Sequence, residues 1–186
     1  INLGCGSQDL ENLQKAVLSH EADIGLAFDG DADRLIAIDE KGRTITGDTL
    51  LAIFALYLKS MNQLNNNIVV STIMSNVGLS NYLKSQSIQH KITNVGDRNV
   101  LHVMKKHCSS IGGEDSGHLI FQDDHTTGDG ILSAIKLIQV MVDTGKSLSD
   151  LASVMTVYPQ VLLNVEVDAS KPDFMKIKPI AKAIQD

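Results

Sequence analysis

The sequence predicts a mixed α/β fold in which a mostly parallel sheet is flanked by helices. Two observations predict it: short apolar segments of strand length alternate with longer segments of helical periodicity, and polar, glycine-containing turns separate them. Hydrophobic residues make up 43% of the 186 residues and charged residues 20%, a balance that predicts a buried core. We expect one complete domain and part of a preceding one.

The predicted elements begin with a helix over residues 9–20, for which Ser7 is the candidate N-cap. Two short apolar segments follow, residues 24–28 and 35–38, and each predicts a buried strand. The polar residues 29–34 between them therefore form a tight loop that joins two strands.

A second series of alternating elements occupies the rest of the chain. In order, we predict a helix over residues 50–61 capped by Thr46 or Asp48, a strand over 68–73, a helix over 77–87, a strand over 91–95, a helix over 100–108, a glycine-interrupted segment leading into a strand over 111–121, and a helix over 130–142. Ligands of such sheets bind at the carboxyl ends of strands. Asp29, Gly96 and Gly113 follow strand-like segments and so lie where a binding site is expected.

We predict three parts along the chain. Residues 1–46 would be the C-terminal part of one domain, residues 47–160 a complete second domain, and residues 161–186 a linker toward a further domain. The chain begins without an initiator Met, and its last residues have a helical pattern. We therefore expect both ends to be cuts through a longer polypeptide, whose missing domains would be partners of this part.

The composition argues against several classes of partner. Trp is absent, aromatic residues make up 4%, and the formal charge of −6 includes no basic stripe, so nucleic acid is not expected to bind. The longest apolar run, around residues 50–58, is too short to span a membrane. Cys5 and Cys108 lie far apart and outside any CxxC pair, which predicts two free thiols and a cytoplasmic location.

The segment Asp29-Gly-Asp-Ala-Asp-Arg34, called the acidic loop below, places three carboxylates at alternate positions. Like charges at short range raise each other's pKa, and a hard divalent cation relieves that repulsion. Asp29, Asp31 and Asp33 are therefore candidate metal ligands. The pattern suits Mg²⁺, since coordination sites remain for a phosphate oxygen and water. Arg34 follows at once and can hold a phosphate beside the metal.

Two other kinds of site share part of this pattern. An EF-hand calcium loop would add Glu40 as a ligand, but its sixth position must be Gly and is Arg34 here. A haloacid-dehalogenase-like phosphatase uses a strand-terminal Asp-x-Asp motif that usually ends in Thr or Val, and Asp33 stands there instead. The third alternative is a solvated acidic turn, and the buried-looking strand on each side argues against it.

A second polar loop, Gly112-Gly-Glu-Asp-Ser-Gly-His118, is called the glycine loop below, and its glycines let the backbone turn sharply. Glu114 and Ser116 offer hydrogen-bonding groups that suit sugar hydroxyls. His118 can donate or accept a proton near neutral pH. The alternative is a plain turn in which His118 caps a neighbouring strand or helix.

Two further loops are less specific. In residues 93–98, the structural interpretation is that Asp97 is a helix N-cap and Arg98 forms a surface ion pair worth under about 1 kcal/mol. Residues 126–130, Thr-Thr-Gly-Asp-Gly, predict chiefly a helix start with Asp129 as the cap.

Together these loops resemble the α-D-phosphohexomutase superfamily. Residues 22–34 are similar to its metal-binding loop and residues 113–118 to its sugar-binding loop, in the same order and at a fitting separation. The phosphoglucosamine mutase branch fits best, because it shares a Cys-Gly-Ser, a Val-Gly-Asp-Arg and a Thr-Gly-Asp-Gly segment with this chain. Asp115 departs from that branch, which usually has Gln there.

The resemblance implies interconversion of glucosamine 6-phosphate and glucosamine 1-phosphate through a phosphoserine and a bisphosphate intermediate. Phosphomannomutase or phosphoglucomutase activity is the alternative within the superfamily. The implied cofactor is Mg²⁺ and the implied partner is a sugar phosphate. The implied site residues are Asp29, Asp31 and Asp33 for the metal, His118 and Arg34 for catalysis, and Gly113, Glu114, Ser116 and Arg98 for the substrate. The family's phosphorylated serine and its phosphate-gripping loop do not occur in this sequence, so we predict that the chain alone is inactive.

Overall fold

The computed structural model describes residues 3–161, 173 and 176–185. The elements of this part are, in chain order, α1 (Glu11–Ser19), β1 (Ile24–Phe28), β2 (Leu35–Asp39), β3 (Thr44–Ile45), α2 (Gly47–Ser60), a 3₁₀ turn (Asn65–Asn67), β4 (Ile68–Thr72), α3 (Val77–Ser85), β5 (Gln89–Thr93), α4 (Asp97–His107), β6 (Ile111–Gly113), β7 (Leu119–Phe121), α5 (Gly130–Thr144), α6 (Leu148–Ala152) and α7 (Lys178–Gln185).

The strands form two sheets. The first is antiparallel with the order β1-β2-β3, and Phe28 pairs with Leu35. The acidic loop is thus the connection of a hairpin. The second sheet has the order β5-β4-β6-β7, in which β4 is parallel to both β5 and β6, and β7 is antiparallel to β6. This sheet confirms the predicted mixed, mostly parallel arrangement.

One hydrophobic core joins the two sheets, and α2 lies at its centre. Leu50, Leu51 and Phe54 of this helix are fully buried. The Phe54 ring meets Phe121 of β7 edge to face, with 5.0 Å between the ring centroids. Leu35 of β2 belongs to the same core. Each such side chain contributes roughly 1.5–3 kcal/mol when buried, so α2 fixes the first sheet against the second.

A smaller core lies under α4, on the other face of the second sheet. Val70 of β4 and Ile120 of β7 pack there against Val100 and Met104 of the helix. All five residues of β4 are buried, and its first three, Ile68 to Val70, are apolar without alternation, which is typical of a central parallel strand.

The clearest differences from the sequence predictions lie at the starts of helices. The prediction of Ser7 as a cap is wrong: α1 begins at Glu11, and Leu10 occupies the N-cap position. Ser7 is held elsewhere, because its backbone N–H donates to the Phe28 carbonyl at 3.1 Å. This bond holds Ser7 beside the end of β1, four residues before the first residue of α1, and its side-chain oxygen has no hydrogen-bond partner among the described residues.

α1 begins later than predicted, whereas two other helices begin earlier than predicted. α2 begins at Gly47, and Thr46 occupies its N-cap position without a side-chain hydrogen bond. Asp48 is a helical residue and not the cap. α4 begins at Asp97, with Gly96 in the N-cap position, so the predicted capping role of Asp97 is also wrong. Asp129, by contrast, is confirmed as the cap of α5, since its side chain accepts from the Leu132 N–H at 2.9 Å.

The glycine-interrupted segment contains two short strands, β6 and β7, which pair with each other around the glycine loop. The predicted linker lies mostly outside the described residues, and α7 confirms the helical pattern near the end of the chain. Both cysteines are free, as predicted, and both are exposed. Among the described helices, none has the length and apolar character needed to cross a membrane.

Candidate functional site

The acidic loop turns tightly between β1 and β2. The Ala32 N–H donates to the Asp29 carbonyl at 3.2 Å, and Ala32 has a left-handed backbone with φ of 59°. One carboxylate oxygen from each of Asp29, Asp31 and Asp33 lies within 4.8 Å of the others. Neighbouring oxygens of an octahedral Mg²⁺ site, each about 2.1 Å from the ion, lie about 3.0 Å apart, so a contraction of up to roughly 2 Å would bring all three into one coordination shell.

Asp33 is the carboxylate that most needs a cation. Burial raises its pKa, and a hydrogen bond with Asp29 and the charges of Asp29 and Asp31 raise it further, while the charge of His118 lowers it. Its Oδ1 is buried without a hydrogen-bond partner. A buried carboxylate oxygen without a donor is costly, and a bound cation would satisfy it. The residues present therefore fit a divalent metal.

The guanidinium of Arg34 lies near the carboxylates of the acidic loop, but no short hydrogen bond holds it there. Its Nε lies 3.4 Å from Asp29 Oδ2 and 3.7 Å from Asp33 Oδ1, both longer than a good hydrogen bond. The side chain is 41% exposed. A guanidinium offers five N–H donors, so Arg34 retains donors for a phosphate oxygen beside the carboxylates.

The glycine loop lies directly against the acidic loop. The Leu35 N–H donates to the Gly117 carbonyl at 3.0 Å, and Arg34 and His118 form an isolated antiparallel bridge. Gly117 has φ of 92°, and a Cβ there would lie 2.2 Å from the Leu35 carbonyl oxygen. Only glycine permits this approach. The two loops that the sequence singled out separately thus form one site.

His118 makes the side-chain contact between these loops. Its Nδ1 lies 3.0 Å from Asp33 Oδ2, and its Nε2 accepts a hydrogen bond from the Gly128 N–H at 3.1 Å. The residue is only 5% exposed. His118 therefore connects a candidate metal ligand to the 126–130 loop.

The 126–130 loop also holds the acidic loop through its backbone. The Gly130 N–H donates to the Ala32 carbonyl at 2.9 Å, and a Cβ on Gly130 would lie 2.5 Å from the Arg34 carbonyl oxygen. The sequence predicted a helix start here, which is correct. It did not indicate that this helix start supports the acidic loop.

The predicted substrate-binding residues are placed differently from one another. The Gly96 N–H donates to Glu114 Oε1 at 2.9 Å, which joins the 93–98 loop to the glycine loop. Ser116 is half-buried, and Arg98 is exposed. Within the described part of the chain, Arg98 has no side-chain ion pair, so the predicted surface pair is not formed. Gly113 is buried at the end of β6, so it has almost no exposed surface for a substrate to contact.

Sequence reasoning missed the group beneath the glycine loop. Asp48 is 1% exposed, and its Oδ2 accepts from the Asn76 N–H at 2.5 Å. Its own N–H donates to Asp115 Oδ1 at 3.3 Å. Burial raises the pKa of Asp48 to about 6; the bond from Asn76 lowers it and the charge of Asp115 raises it. The start of α2 packs closely against the glycine loop at Gly47, where a Cβ would lie 2.0 Å from the Glu114 carbonyl oxygen.

Comparison with known proteins identifies the family. Residues 46–158, more than half of the chain, match the model for "Phosphoglucomutase/phosphomannomutase, alpha/beta/alpha domain III". The chain belongs to the phosphoglucomutase/phosphomannomutase family. Residues 5–42 match domain II of the same family. Both matches fit the observed order of the acidic loop in the first sheet and the glycine loop in the second.

Relatives within the phosphoglucomutase/phosphomannomutase family confirm the predicted superfamily and its branch. The phosphoglucosamine mutase of Desulforapulum autotrophicum is 62% identical over all of this chain, which spans 40% of that relative. The enzyme of the same name from Caldanaerobacter subterraneus is 53% identical, and the chain spans 42% of it. The chain therefore covers about two fifths of the length of these relatives.

Solved structures agree with the fold. An Aspergillus fumigatus N-acetylphosphoglucosamine mutase matches all of this chain, which covers 45% of it, with a TM-score of 0.77 at 19% identity. A second structure of that enzyme, in complex with GlcNAc-6P and magnesium, matches 89% of this chain, which covers 42% of it, with a TM-score of 0.71 at 20% identity.

The structure contradicts the EF-hand alternative. β2 begins directly after the acidic loop, where an EF-hand would still be a loop. Glu40, its twelfth position, accepts a hydrogen bond from the Ser149 N–H at 3.1 Å and so is used elsewhere. Burial alone would raise the pKa of Glu40, but hydrogen bonds from Ser149, from its own backbone and from Ser147 lower it to about 2.

Proposed function

We propose that this chain forms the metal-binding and sugar-binding part of a phosphoglucosamine mutase, which interconverts glucosamine 6-phosphate and glucosamine 1-phosphate. The observation that carries the proposal is the direct contact between the acidic loop and the glycine loop, through Leu35 with Gly117 and Asp33 with His118. A cation site beside groups that suit sugar hydroxyls is what a phosphosugar needs. Relatives of that name at 53% and 62% identity support the substrate.

We assign the proposed roles of the residues from their positions. Asp29, Asp31 and Asp33 would hold Mg²⁺ in the cluster that their oxygens form. When bound, the cation would neutralise charge that develops on the transferring phosphoryl group. Arg34 would donate hydrogen bonds to the oxygens of the same group, because its guanidinium is half-exposed beside the carboxylates.

The glycine loop would orient the sugar. Oε1 of Glu114 already accepts a hydrogen bond from the Gly96 N–H, so the second carboxylate oxygen would accept one from a sugar hydroxyl. Ser116 would contribute its hydroxyl from the same loop, and the close packing of Gly113 would hold that loop in place. Arg98, exposed at the neighbouring loop, would supply positive charge to the anionic substrate.

We further propose that the phosphorylated serine lies in a part of the protein outside this chain, and that the enzyme is cytoplasmic. The phosphoryl group would pass from that serine to the sugar phosphate, and the opposite phosphate of the resulting bisphosphate would return to the serine. The 186-residue chain alone would then bind ligands without turning them over.

The test is to express the complete reading frame and follow the two glucosamine phosphates by ³¹P NMR. We expect conversion by the complete protein with Mg²⁺, no conversion after chelation, and none by the 186-residue chain. Asp29→Asn should lower kcat at least about 100-fold, as removal of a group that stabilises transition-state charge does. Asp9→Asn, an exposed carboxylate, is the matched control.

Two outcomes would overturn the proposal: turnover by the isolated chain, or a complete protein that converts no hexosamine phosphate. The family description also favours glucose and mannose phosphates as a second candidate substrate class. Higher kcat/KM on glucose 6-phosphate or mannose 6-phosphate would support that class and replace glucosamine phosphate.

A further inference from the structure

We propose that Asn76 is a positioning residue, which fixes the segment where domain III ends against the start of α2 and so against the glycine loop. This segment, residues 156–160, is called the boundary segment below. The match to domain III ends within it, at Tyr158. The expected effect on activity rests on the proposed function, whereas the hydrogen bonds that fix the segment do not depend on it.

The side chain of Asn76, the N-cap of α3, uses all of its hydrogen-bonding groups within the protein. Its Oδ1 accepts from the Gly78 N–H at 2.9 Å and from the Tyr158 N–H at 3.0 Å. Its Nδ2 donates to the Tyr158 carbonyl and to Gln160 Oε1, each at 2.8 Å. Because backbone N–H groups only donate, the amide oxygen and nitrogen have one consistent assignment. The residue is 5% exposed, so water competes little for these bonds.

The boundary segment runs antiparallel to residues 74–78, which connect β4 to α3. Three contacts follow one another at steps of two residues: Thr156 with Gly78, Tyr158 with Asn76, and Gln160 with Met74. A Cβ on Gly78 would lie 1.9 Å from the Thr156 carbonyl oxygen, so the two backbones lie close together. Asn76 is at the centre of this pairing.

Pro159 makes the boundary segment stiff. Its ring fixes φ at about −65°, and a residue before a proline, here Tyr158, favours an extended backbone. The Asn76 amide holds the residues on both sides of this proline. The amide therefore sets the direction of the chain over residues 158–160.

The backbone of Asn76 connects the boundary segment to the glycine loop. Its N–H donates to Asp48 Oδ2, in the first turn of α2, at 2.5 Å. The Asp48 N–H donates in turn to Asp115 Oδ1 at 3.3 Å, and the Gly47 N–H donates to the Asp115 carbonyl at 3.0 Å. A continuous series of hydrogen bonds thus joins the boundary segment to the loop that would hold the sugar.

This connection matters because the chain continues past the boundary segment outside domain III. Under the proposed function, groups outside this domain must meet a sugar that the glycine loop holds. A misplacement of about 1 Å, even from a distant substitution, can cost about 100-fold in rate. The acidic loop is held separately, by the backbone bonds of Leu35 and Gly130, so its metal site should not depend on Asn76.

Two substitutions separate this role from helix capping. Serine is about as good an N-cap as asparagine, so Asn76→Ser keeps the cap of α3. Its hydroxyl is one bond shorter and has no amide nitrogen to donate to Tyr158 and Gln160. Asn76→Asp keeps the two accepted bonds and loses the two donated ones. Asn81→Ser, at an exposed asparagine of the same helix, is the matched control.

The complete protein is assayed with glucosamine 6-phosphate, and its metal site is probed separately with Mn²⁺. We expect both Asn76 variants to lower kcat/KM about 10–100-fold. Their Mn²⁺ affinity should stay within about threefold of the wild type, and Asn81→Ser should change neither quantity. Unchanged kcat/KM in Asn76→Ser would overturn the positioning role. An equal loss of Mn²⁺ affinity would also overturn it, because it would indicate general disruption of the domain.

A second measurement needs neither turnover nor a ligand. Hydrogen exchange of peptides that include the boundary segment, followed by mass spectrometry, should show a protected N–H at Tyr158 in the wild type. In Asn76→Ser this N–H should exchange at least about fivefold faster. Exchange at the rate of an unstructured peptide in the wild type would overturn the inference. Failure of the proposed function is a different result: the wild type would convert no glucosamine phosphate while Tyr158 remains protected.

Discussion

Replacing Asp48 by Asn should stabilise the chain at pH 7.5 and remove a dependence of its stability on pH between about 4 and 6. Asp48 is 1% exposed at the start of α2. Its Oδ2 accepts from the Asn76 N–H, while its Oδ1 is buried without a hydrogen bond. Burial, opposed by the bond from Asn76 and assisted by the charge of Asp115, raises the pKa to about 6 from its ordinary value of 3.8.

The size of the effect follows from this shift. A rise of about two pKa units corresponds to roughly 3 kcal/mol, at 1.36 kcal/mol per unit, and this is an upper value. Since the folded-state pKa of Asp48 is raised, the folded state binds more protons than the unfolded state between pH 4 and 6. Stability from this group is therefore full below pH 4 and is lost as the pH rises to about 6. An Asn side chain stays neutral and still accepts from Asn76, so we expect a gain of roughly 1–3 kcal/mol at pH 7.5.

The assay is urea unfolding of the 186-residue chain at a series of pH values, with the variant compared to the wild type at each one. Taking the difference removes the contribution of His90, which titrates over an overlapping range. Asp9→Asn, an exposed carboxylate, should give a difference near zero at every pH. A stability difference for Asp48→Asn that stays constant from pH 4 to pH 7.5, or that turns against the variant, would refute the reasoning.

Three other predictions concern the rest of the molecule. Gly130→Ala should destabilise the chain by about 1–3 kcal/mol in urea unfolding, because its Cβ would lie 2.5 Å from the Arg34 carbonyl oxygen. In the control Gly30→Ala the new Cβ would have nothing within 4 Å, so stability should change by under about 0.5 kcal/mol. Equal effects of the two substitutions would contradict this prediction. Burial lowers the pKa of His90 to about 4, so the free energy of unfolding should fall as the pH drops from 6.5 to 4. His90→Gln should flatten this dependence on pH, and an unchanged slope would contradict the prediction. By calorimetry, the isolated chain should bind Mg²⁺ more weakly than the complete protein, because under the proposed function a phosphoserine oxygen would complete the coordination shell there. Equal affinities would be evidence against a shared site.

The sequence predicted the parts of the site whose residues lie close together along the chain. Three aspartates at alternate positions between two apolar segments are a local pattern, and the hairpin confirms the loop that they predict. The glycine loop was found in the same way, from Gly112 and Gly113 flanking polar residues. Patterns of this kind depend on backbone geometry within a few residues, which a single sequence displays directly.

What the sequence did not predict depends on contacts between distant residues. Nothing near His118 indicates that its ring lies between Asp33 and Gly128, and nothing near Asp48 indicates the bond from Asn76. The same cause explains the error at Ser7, whose backbone is held by the Phe28 carbonyl of β1. Only the assembled sheets determine these partners, so no local propensity could have shown them.

Main-chain hydrogen bonds hold the glycine loop on both sides: the Leu35 N–H, next to the acidic loop, donates to the Gly117 carbonyl, and the Gly47 N–H of α2 donates to the Asp115 carbonyl. Substituting the side chain at position 115 or 116 leaves those bonds in place. Under the proposed function, selectivity for one hexose over another would therefore change by single replacements while the backbone between the two loops keeps its shape. The sugar preference that we propose for this site would then be open to laboratory redesign without loss of the fold.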